Sequence, residues 1–276
     1  MTRDCGWRTT LGTCFYNRVE EARRTAERLG EGRTVLLIGP RNAGKSELAR
    51  YVLNRLLRVE ALEVDCRVAA ARGLAEALRA AKGLDSRLLG ELARRLAGVV
   101  EPRLGALLDA VAWLARRARR CLYVLVDEFQ FVGDIRVLEA VAKMVAFYPE
   151  YRGIGLLVTS SEGVLMTVEA VSRLAGYNVW WVVVGEMPER DFTLLYHEYC
   201  EAAECRVGLE EFLELVGALP GYLPEVAGLD GEKLSEWMRL HEALLRGALV
   251  EYARREGVGV GGRPGGLQPA MRGRRG

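Results

Sequence analysis

The feature that most constrains the fold of this chain is a short apolar run that leads directly into a glycine-containing turn. The run is TVLLIGP (34–40), and a helical pattern, GKSELARYVLNRLLR, begins at Gly44. Between them, GPRNAGKS fits the spacing G-x-x-x-x-G-K-S/T of a phosphate-binding loop. Such a loop wraps its backbone N–H groups around an anion, and the helix that follows adds the positive end of its dipole. A chance glycine-rich turn is the alternative, and the strand before and the helix after argue against it.

Two side chains at the end of the loop have specific roles in this interpretation. Lys45 can reach the β- and γ-phosphates, and the Ser46 hydroxyl is placed to ligate Mg²⁺. The pattern therefore predicts ATP and Mg²⁺ as ligands. The residues predicted to contact the nucleotide here are Gly39, Pro40, Arg41, Asn42, Ala43, Gly44, Lys45, Ser46 and Glu47.

A second apolar run, LYVLVDE (122–128), ends in two adjacent carboxylates. A strand of this kind is typical of a Walker B element, so Asp127 is predicted to hold Mg²⁺ through its water shell and Glu128 to polarise the attacking water. A solvated pair of acids is the alternative, and the upstream phosphate loop argues against it. Gln130 stands where the D-x-x-G of a GTPase has glycine, and small-molecule kinases lack a fixed water-activating glutamate. The pair therefore favours hydrolysis over phosphoryl transfer.

Apolar strands alternate with helical patterns over the first part of the chain. Besides the two strands above, we predict strands at 59–66, 153–161 and 178–186. This order favours an α/β fold of the P-loop NTPase type, with a mostly parallel sheet covered by helices.

The pattern changes at Pro188, after which only helical patterns occur. We predict a P-loop core at 1–187 with a helical insertion at about 67–120, a small all-helical lid domain at 188–256, and a disordered basic tail at 257–276. The tail contains four arginines and no acidic residue, so it either binds nucleic acid or is a solubilising segment.

The composition excludes some classes of protein but indicates no partner. The 39 Lys and Arg nearly balance the 37 Asp and Glu, so the net charge of +2 carries little information. Only four of the basic residues are lysines, which suits a thermophile or a GC-rich genome. No apolar run approaches the roughly 20 residues of a membrane helix, and the N-terminus has no signal-peptide pattern. We predict a cytoplasmic chain without membrane contacts.

The six cysteines and two histidines show no metal-binding spacing. Thiols in a reduced cytosol are the favoured interpretation, with disulfides of the kind found inside hyperthermophiles as the alternative. The cysteines are Cys5, Cys14, Cys66, Cys121, Cys200 and Cys205.

The strand at 153–161 ends in three hydroxyl residues, Thr159-Ser160-Ser161. On a strand beside the Walker B strand, a polar side chain can hydrogen-bond the attacking water or the γ-phosphate. Ser160 or Ser161 could serve, and Ser160 is taken as the nucleotide contact. Hydroxyls also cap helices, and the segment SSEG fits that alternative nearly as well.

The chain resembles the archaeal ATPase family within the STAND division of AAA+-related P-loop NTPases. FYNRVEE (15–21) resembles the family's N-terminal F-x-x-R-x-x-E, and the phosphate loop resembles its G-P-R-x-x-G-K-S/T. The V-D-E-F block at 126–129 and the T-S-S strand end follow. GALPGYL (217–223) resembles the lid motif G-G-x-P-x-Y-L, with Ala218 in place of the second glycine. The match covers residues 13–250 approximately.

The resemblance implies an adenine pocket near Asn17 and Arg18 and a lid whose Pro220 region closes over the nucleotide. Arg173 lies just before the last strand, where related assemblies place an arginine that reaches the γ-phosphate of a neighbouring subunit. A homo-oligomer is therefore one expectation for this chain. A surface helix arginine is the alternative for Arg173.

These observations favour Mg²⁺-dependent ATP binding and slow hydrolysis that acts as a conformational switch. The alternative is a nucleotide-gated module that binds DNA or a protein and hydrolyses little ATP. A phosphotransferase would need an acceptor pocket, for which the sequence has no evidence.

Overall fold

A computed structural model of the chain has two compact units, residues 1–228 and 229–276. The predicted tail at 257–276 lies outside the described residues, as do parts of the predicted insertion at 67–120. The residues that the structure describes are 3–59, 61–73, 76, 86–96, 104–118, 121–132, 135–161 and 168–255.

The first unit is built on a five-stranded sheet in which every neighbouring pair of described strands is parallel. The strands are short and mostly apolar, as expected for strands that are buried on both faces. The predicted α/β fold with a parallel sheet is confirmed. In spatial order the strands are β4 (Ala61–Asp65), β5 (Leu122–Asp127), β6 (Ile154–Ser160), β3 (Thr34–Ile38) and β7 (Val179–Val183).

This strand order places β6 between the strand of the phosphate loop and the strand of the Asp-Glu pair. β6 pairs with β3 on one side, where Ser160 faces Ile38, and with β5 on the other, where Val158 faces Val126. Parallel strands have their carboxyl ends at one edge of the sheet, which is where ligands bind in open α/β folds. The phosphate loop, the two acids and the hydroxyls at the end of β6 therefore meet at that edge.

Helices cover both faces of the sheet, and each face has its own apolar core. Neighbouring strand residues point to opposite faces, so Leu156 belongs to one core and Leu157 to the other. In the first unit, the described helices of eight or more residues are α1 (Val19–Gly30), α4 (Ser86–Leu96), α5 (Leu104–Ala118), α6 (Ile135–Phe147), α8 (Glu189–Ala202) and α9 (Leu209–Val216). The shorter ones are α2 (Lys45–Arg50), α3 (Cys66–Arg72), α7 (Val168–Leu174) and α10 (Leu223–Val226). The second unit contains α11 (Gly231–Arg255).

An N-terminal hairpin has no counterpart among the predicted strands. β1 (Arg3–Arg8) pairs antiparallel with β2 (Cys14–Tyr16). Its strands are short and β1 carries charges, so their apolar alternation is weak. Phe15 stacks on Tyr51 with ring centroids 3.9 Å apart, and the Tyr51 hydroxyl donates to Asp4 at 3.1 Å. These contacts hold the hairpin against the segment that follows the phosphate loop.

The helix predicted after the phosphate loop changes its hydrogen-bond pattern partway. α2 ends at Arg50, and a π-helical turn spans Tyr51–Leu56. The Leu57 N–H donates to the Val52 carbonyl at 2.9 Å, a separation of five residues. Such π turns are rare and occur frequently near functional sites.

The favoured prediction of free thiols is wrong for four of the six cysteines. Cys5 is bonded to Cys14, and Cys200 is bonded to Cys205. The partners are 9 and 5 residues apart in sequence, and spacing alone does not reveal which cysteines pair. Disulfides were the alternative that the sequence left open. The cytoplasmic location stays a prediction.

Helices α8 to α10 belong to the first unit, whereas the sequence predicts that a separate lid begins at Pro188. The extent of an independent lid domain therefore stays a prediction. Among the described helices, none is both long enough and apolar enough to cross a membrane.

Candidate nucleotide site

The loop between β3 and α2 turns tightly at the carboxyl edge of the sheet. Asn42 and Gly44 have positive φ angles of 66° and 90°. At Gly39 a Cβ would lie 2.0 Å from the backbone oxygen of Val184, the residue after β7. Only glycine therefore allows the loop to leave β3 against that neighbouring backbone.

Three other loop residues predicted to contact nucleotide differ in their surroundings. Pro40 and Arg41 are exposed. Glu47 is half-buried, lines the cavity described below, and pairs with Arg50 at 3.2 Å. Of these three, Glu47 is the one that the structure places against an enclosed space.

Lys45 is buried where α2 begins. Its Nζ donates to the carbonyl oxygens of Gly39 at 3.2 Å and Pro40 at 2.7 Å. Burial lowers the pKa of Lys45, and the nearby carboxylates of Glu128 and Asp127 act in the opposite direction. The Lys45 ammonium is therefore removed from water and hydrogen-bonded to uncharged carbonyl oxygens of the loop. An anionic phosphate oxygen would be a stronger acceptor for it.

Ser46 and Asp127, the two predicted Mg²⁺ ligands, are hydrogen-bonded to each other. Ser46 Oγ donates to Asp127 Oδ1 at 2.7 Å, and the Thr159 hydroxyl donates to the same oxygen at 2.6 Å. Arg50 Nη2 lies 3.7 Å from the other carboxylate oxygen. Mg²⁺ in nucleotide sites takes one or two protein oxygens plus phosphates and waters, so the hydroxyl and carboxylate fit this metal. Among the described residues, no group of three or more His, Cys, Asp or Glu could hold a metal ion. A metal ion here would therefore need phosphate or water oxygens in addition to Ser46 and Asp127.

Glu128, the predicted base, is held in an uncommon conformation. Its φ is 56°, in the left-handed region that non-glycine residues rarely adopt and that is enriched at functional sites. Its N–H donates to Thr159 Oγ1 at 3.0 Å. One carboxylate oxygen accepts hydrogen bonds from Gln130 Nε2 and from Ser161 Oγ, the latter at 3.3 Å. The Gln130 side-chain oxygen accepts from the Ser161 N–H at 3.3 Å, so the carboxylate is oriented from two sides.

Thr159 and Gln130 are candidates that the sequence interpretation missed. Thr159 contacts both acids, since its hydroxyl donates to one and accepts from the backbone of the other. Ser160 is buried, and its hydroxyl has no hydrogen-bond partner in the described part of the chain. Neighbouring strand residues point to opposite faces, so Thr159 and Ser161 share a side that Ser160 does not. Strand alternation could have identified this pair, and the role of Ser160 stays a prediction.

Arg18 is buried beside the phosphate loop. Its Nη2 donates to the carbonyl oxygens of Ala43 at 3.2 Å and Gly185 at 2.5 Å. Burial lowers the pKa of Arg18, and Glu21, 3.7 Å away, acts in the opposite direction. Asn17 and Arg18 both have positive φ, 53° and 58°, so the chain turns sharply between β2 and α1. Arg18 lines the adjoining cavity, and Asn17 is the residue before it.

An apolar cavity adjoins the phosphate loop, with a free volume of about 530 Å³ that includes the part open to solvent. The hairpin forms one wall with residues 9–11 and Phe15, and the loop contributes Gly44. Leu195 on α8 and Pro220 complete the lining on the other side. Mostly apolar walls with a few polar groups are the surroundings that small-molecule ligands prefer. The structure thus brings the predicted Arg18 and Pro220 regions to one cavity.

The LPGYLP segment docks directly on the phosphate loop. The Gly221 N–H donates to the Asn42 carbonyl at 2.9 Å. A Cβ on Gly221 would lie 2.8 Å from the Asn42 Cα, and a Cβ on Gly44 would lie 3.8 Å from Pro220 Cγ. The turn Pro220–Tyr222 is therefore in direct contact with the loop that is predicted to bind phosphate.

Gly221→Ala is expected to lower the free energy of unfolding by about 1–3 kcal/mol, because the added methyl group collides with the Asn42 backbone. It should also weaken ATP binding, since the loop must shift to make room. Thermal unfolding and a fluorescent ATP analogue measure the two effects. Gly176→Ala is the matched control, because no atom lies within 4 Å of a Cβ there. Wild-type stability in Gly221→Ala would show that the turn does not pack on the loop.

Arg173 lies on α7, far from the phosphate loop in sequence. Its Nη1 lies 3.0 Å from a carboxylate oxygen of Glu139 on α6, and the Tyr177 hydroxyl donates to the same carboxylate at 3.3 Å. The structure thus places Arg173 in an ion pair between two helices. Its role at a phosphate stays a prediction.

Several solved structures are similar to this chain. The Aeropyrum pernix ORC2 protein in ADPNP–ADP complexes is 17% identical, with 72% of this chain and 55% of that chain covered and a TM-score of 0.44. Cdc6p from Pyrobaculum aerophilum is 12% identical, with coverages of 72% and 54% and a TM-score of 0.45. The Aeropyrum pernix ORC1 protein in complex with DNA is 20% identical, with coverages of 68% and 50% and a TM-score of 0.46. The chain spans about half the length of each of these proteins.

A comparison with curated protein sequences found no match. A family model described as an ATPase domain predominantly from Archaea matches residues 15–226, which include the phosphate loop, the Asp-Glu pair and the Pro220 turn. This range is well over half of the 276 residues, and the chain therefore belongs to this family of ATPase domains found predominantly in Archaea.

Proposed function

We propose that this protein binds ATP with Mg²⁺ and hydrolyses it slowly, as a conformational switch. The observation that carries the proposal is the 2.7 Å hydrogen bond between Ser46 and Asp127, which joins the phosphate loop to the Asp-Glu strand across β6. Membership of an ATPase-domain family supports nucleotide binding and ATPase chemistry in general. The docking of Gly221 on Asn42 supports a switch, because a loop that moves when phosphates bind would move the turn as well.

The phosphate chain is proposed to lie along the backbone of the loop. Pro40 has no N–H, so the other loop residues supply the donors. Lys45 would exchange its two carbonyl acceptors for phosphate oxygens, which compensate the buried ammonium more fully. The adenine base would then enter the apolar cavity between the hairpin and Pro220, with Arg18 at its border.

The hydrolytic step is proposed to use Glu128 as the general base. Its carboxylate accepts the proton of the attacking water while Gln130 and Ser161 keep it oriented. Ser46 and Asp127 would hold Mg²⁺, which supplies positive charge to the phosphate oxygens when bound. Thr159 donates to Asp127 and accepts from the Glu128 N–H, so one side chain would position the metal ligand and the backbone of the proposed base.

Arg173 is proposed to act on the γ-phosphate of a neighbouring copy, which makes a homo-oligomer part of this mechanism. It would first have to leave its ion pair with Glu139. A phosphate oxygen would then replace the Glu139 carboxylate as the anionic partner of the Arg173 guanidinium.

A second candidate function is a nucleotide-gated module for DNA or a protein partner. It is favoured by the four arginines and the absence of acids in the segment 257–276. Binding through such a segment would weaken as salt increases, because counterions are released when phosphates are neutralised. Deletion of 257–276 should then remove DNA binding and leave ATP binding intact.

The test of the main proposal is to measure ATP binding and phosphate release on the same protein. We expect a fluorescent ATP analogue to bind, and phosphate release from ATP to require Mg²⁺ and to stop when EDTA removes it. The reason is that Ser46 and Asp127 can hold the metal only in part, so the nucleotide and Mg²⁺ bind together. Binding without turnover, with or without duplex DNA, would favour the gated module. Absence of any nucleotide binding would contradict both candidates.

A further inference from the structure

The Cys5–Cys14 disulfide closes the hairpin that forms one wall of the nucleotide cavity. The bond joins β1 to β2, and the chain between them includes residues 9–11, which line the cavity. Phe15 and Tyr16, which follow Cys14 directly, line it too. We call residues 9–11 together with Phe15 and Tyr16 the hairpin wall. Residues 9–11 therefore lie within the loop that the disulfide closes, and Phe15 follows its second cysteine directly.

The backbone pairing of this hairpin is weak without the covalent bond. β2 has only three residues, and the register between the strands is irregular between Asp4 and Arg8. An isolated two-stranded hairpin is marginally stable at best in water. Within the turn, the Thr9 N–H donates to the Thr13 carbonyl and the Gly12 N–H to the Thr9 carbonyl, both at 2.9 Å. The Thr9 and Thr13 hydroxyls are also hydrogen-bonded to each other at 2.9 Å. A cross-link removes conformations from the open form of the loop, so the disulfide adds to these hydrogen bonds in holding the turn.

One carboxylate couples the hairpin wall to the opposite side of the cavity. Glu198 on α8 accepts hydrogen bonds from Arg8 Nη1 at 2.5 Å, the Cys14 N–H at 3.0 Å and the Tyr16 hydroxyl at 2.5 Å. Leu195, one turn earlier on α8, lines the cavity. Two of the three donors belong to β2, so α8 holds β2 more firmly than β1. Asp4, near the start of β1, keeps its contacts with the Tyr51 hydroxyl at 3.1 Å and Arg55 Nε at 2.8 Å. Loss of the disulfide would therefore leave β2 and the start of β1 in place and free the turn between the strands.

The disulfide is accessible to a reductant from one side. Cys5 is exposed, whereas Cys14 is buried. A surface groove beside the bond is lined by both cysteines together with Arg3, Arg8 and His197. Glu198 and Glu201 line the same groove, and Arg8 is paired with Glu198, so exposure and not charge selects the sulfur that is attacked. Attack is therefore directed at Cys5 Sγ, with Cys14 as the leaving thiolate.

We propose that Cys5 and Cys14 form a redox site that sets the affinity of the adjoining cavity for nucleotide. Oxidised, the pair holds the hairpin wall closed against the base; reduced, it frees the turn that contains residues 9–11 and weakens nucleotide binding. The reductant is a dithiol. One of its thiolates attacks Cys5 Sγ and the Cys5–Cys14 bond breaks. Its second thiol then displaces Cys5, so that two electrons and two protons reach the protein and the dithiol becomes a cyclic disulfide. This inference rests on the proposed nucleotide site.

The second disulfide provides the matched control. Cys200–Cys205 closes a shorter loop at the end of α8, and neither residue lines the cavity. A reductant opens both bonds, so variants are needed to assign the effect. We would compare wild type, Cys5→Ser with Cys14→Ser, and Cys200→Ser with Cys205→Ser. Labelling of the unfolded chain should count two free thiols per wild-type molecule before reduction and six after it.

The measurement is the Kd of a fluorescent ATP analogue with and without dithiothreitol. If reduction leaves the wall ordered about one-tenth of the time, the Kd of wild type rises about tenfold. The Cys200→Ser/Cys205→Ser variant should respond equally, and reoxidation should restore its affinity. The Cys5→Ser/Cys14→Ser variant should bind weakly and ignore the reductant. The reversible response of the Cys200→Ser/Cys205→Ser variant does not depend on whether the other variant folds.

The outcomes separate this inference from the proposed function. An oxidised wild type that binds no nucleotide contradicts the proposed function, and the redox inference with it. An oxidised wild type that binds nucleotide and keeps its Kd after full reduction contradicts the redox inference alone. The same holds if the thiol count shows six free cysteines before any reductant is added. A response that is lost in Cys200→Ser/Cys205→Ser would move the redox site to α8 and likewise overturn the assignment.

Discussion

Glu128→Gln is expected to lower the rate constant of ATP hydrolysis by about 10²–10⁴-fold, the range that a general base contributes. The substitution keeps the size and shape of the side chain but removes its ability to accept a proton. Ser161 Oγ and Gln130 can still contact an amide oxygen at this position, so the loop should keep its conformation. ATP affinity should be close to that of wild type, because the groups that face the phosphates are unchanged.

Single-turnover phosphate release and the Kd of a fluorescent ATP analogue separate chemistry from binding in this variant. Glu27→Gln is the matched control, since Glu27 lies exposed on α1 and pairs only with Arg23 among the contacts that the structure gives it. It should hydrolyse ATP as wild type does. Turnover that survives in Glu128→Gln would mean that another group accepts the proton. Loss of ATP binding together with turnover would mean that Glu128 holds the loop and has no separate role as a base.

The left-handed backbone of Glu128 makes this prediction specific to its position. A residue with φ of 56° is retained only where its surroundings hold it there, and here Thr159 holds its N–H. The same hydroxyl donates to Asp127. A single side chain of β6 therefore links the backbone of the proposed proton acceptor to the proposed metal ligand.

The parts of the site that could be predicted from sequence are those encoded by local spacing. The phosphate loop and the Asp-Glu pair each lie within a few residues of a strand end, so the strand pattern was enough to place them at one edge. Thr159 was missed because its role depends on the face to which it points, and the sequence offered three adjacent hydroxyls. Gln130 was considered only as a departure from the D-x-x-G pattern, although its amide contacts the carboxylate two residues away.

The contacts that could not be predicted join segments that are distant in sequence. The Gly221 N–H donates to the Asn42 carbonyl although the two residues are far apart in sequence, and no sequence pattern relates them. The hairpin was missed because β2 has three residues and β1 mixes charged and apolar side chains. Cysteine pairing depends on these tertiary positions, since Cys5 and Cys14 meet only because β1 and β2 pair. The resemblance directed attention to Arg18 and Pro220, but the cavity that joins them became evident only in three dimensions.

Lys45→Met is expected to weaken ATP binding about 10- to 150-fold. A charge-assisted hydrogen bond is worth about 1.5–3 kcal/mol, and 1.4 kcal/mol corresponds to a factor of ten in Kd. The ammonium lies at the end of the loop with two carbonyl acceptors, where phosphate oxygens would compensate its charge. Methionine keeps the apolar stem of the side chain and removes the charge. Lys143→Met, at an exposed position of α6, is the matched control and should bind ATP normally.

The stability of the same variant tests whether Lys45 is kept for binding or for folding. Burial lowers the pKa of Lys45, which shows that the folded protein disfavours its charged form relative to water. Desolvation is the largest cause of this shift, and an apolar side chain of similar volume removes that desolvation cost. Without ATP, Lys45→Met should therefore unfold at the same temperature as wild type or at a higher one. With Mg²⁺ and ATP the order should reverse, because only wild type gains the stabilisation that a bound ligand provides. A variant that loses ATP binding and ligand-free stability together would instead make Lys45 a structural residue of the loop.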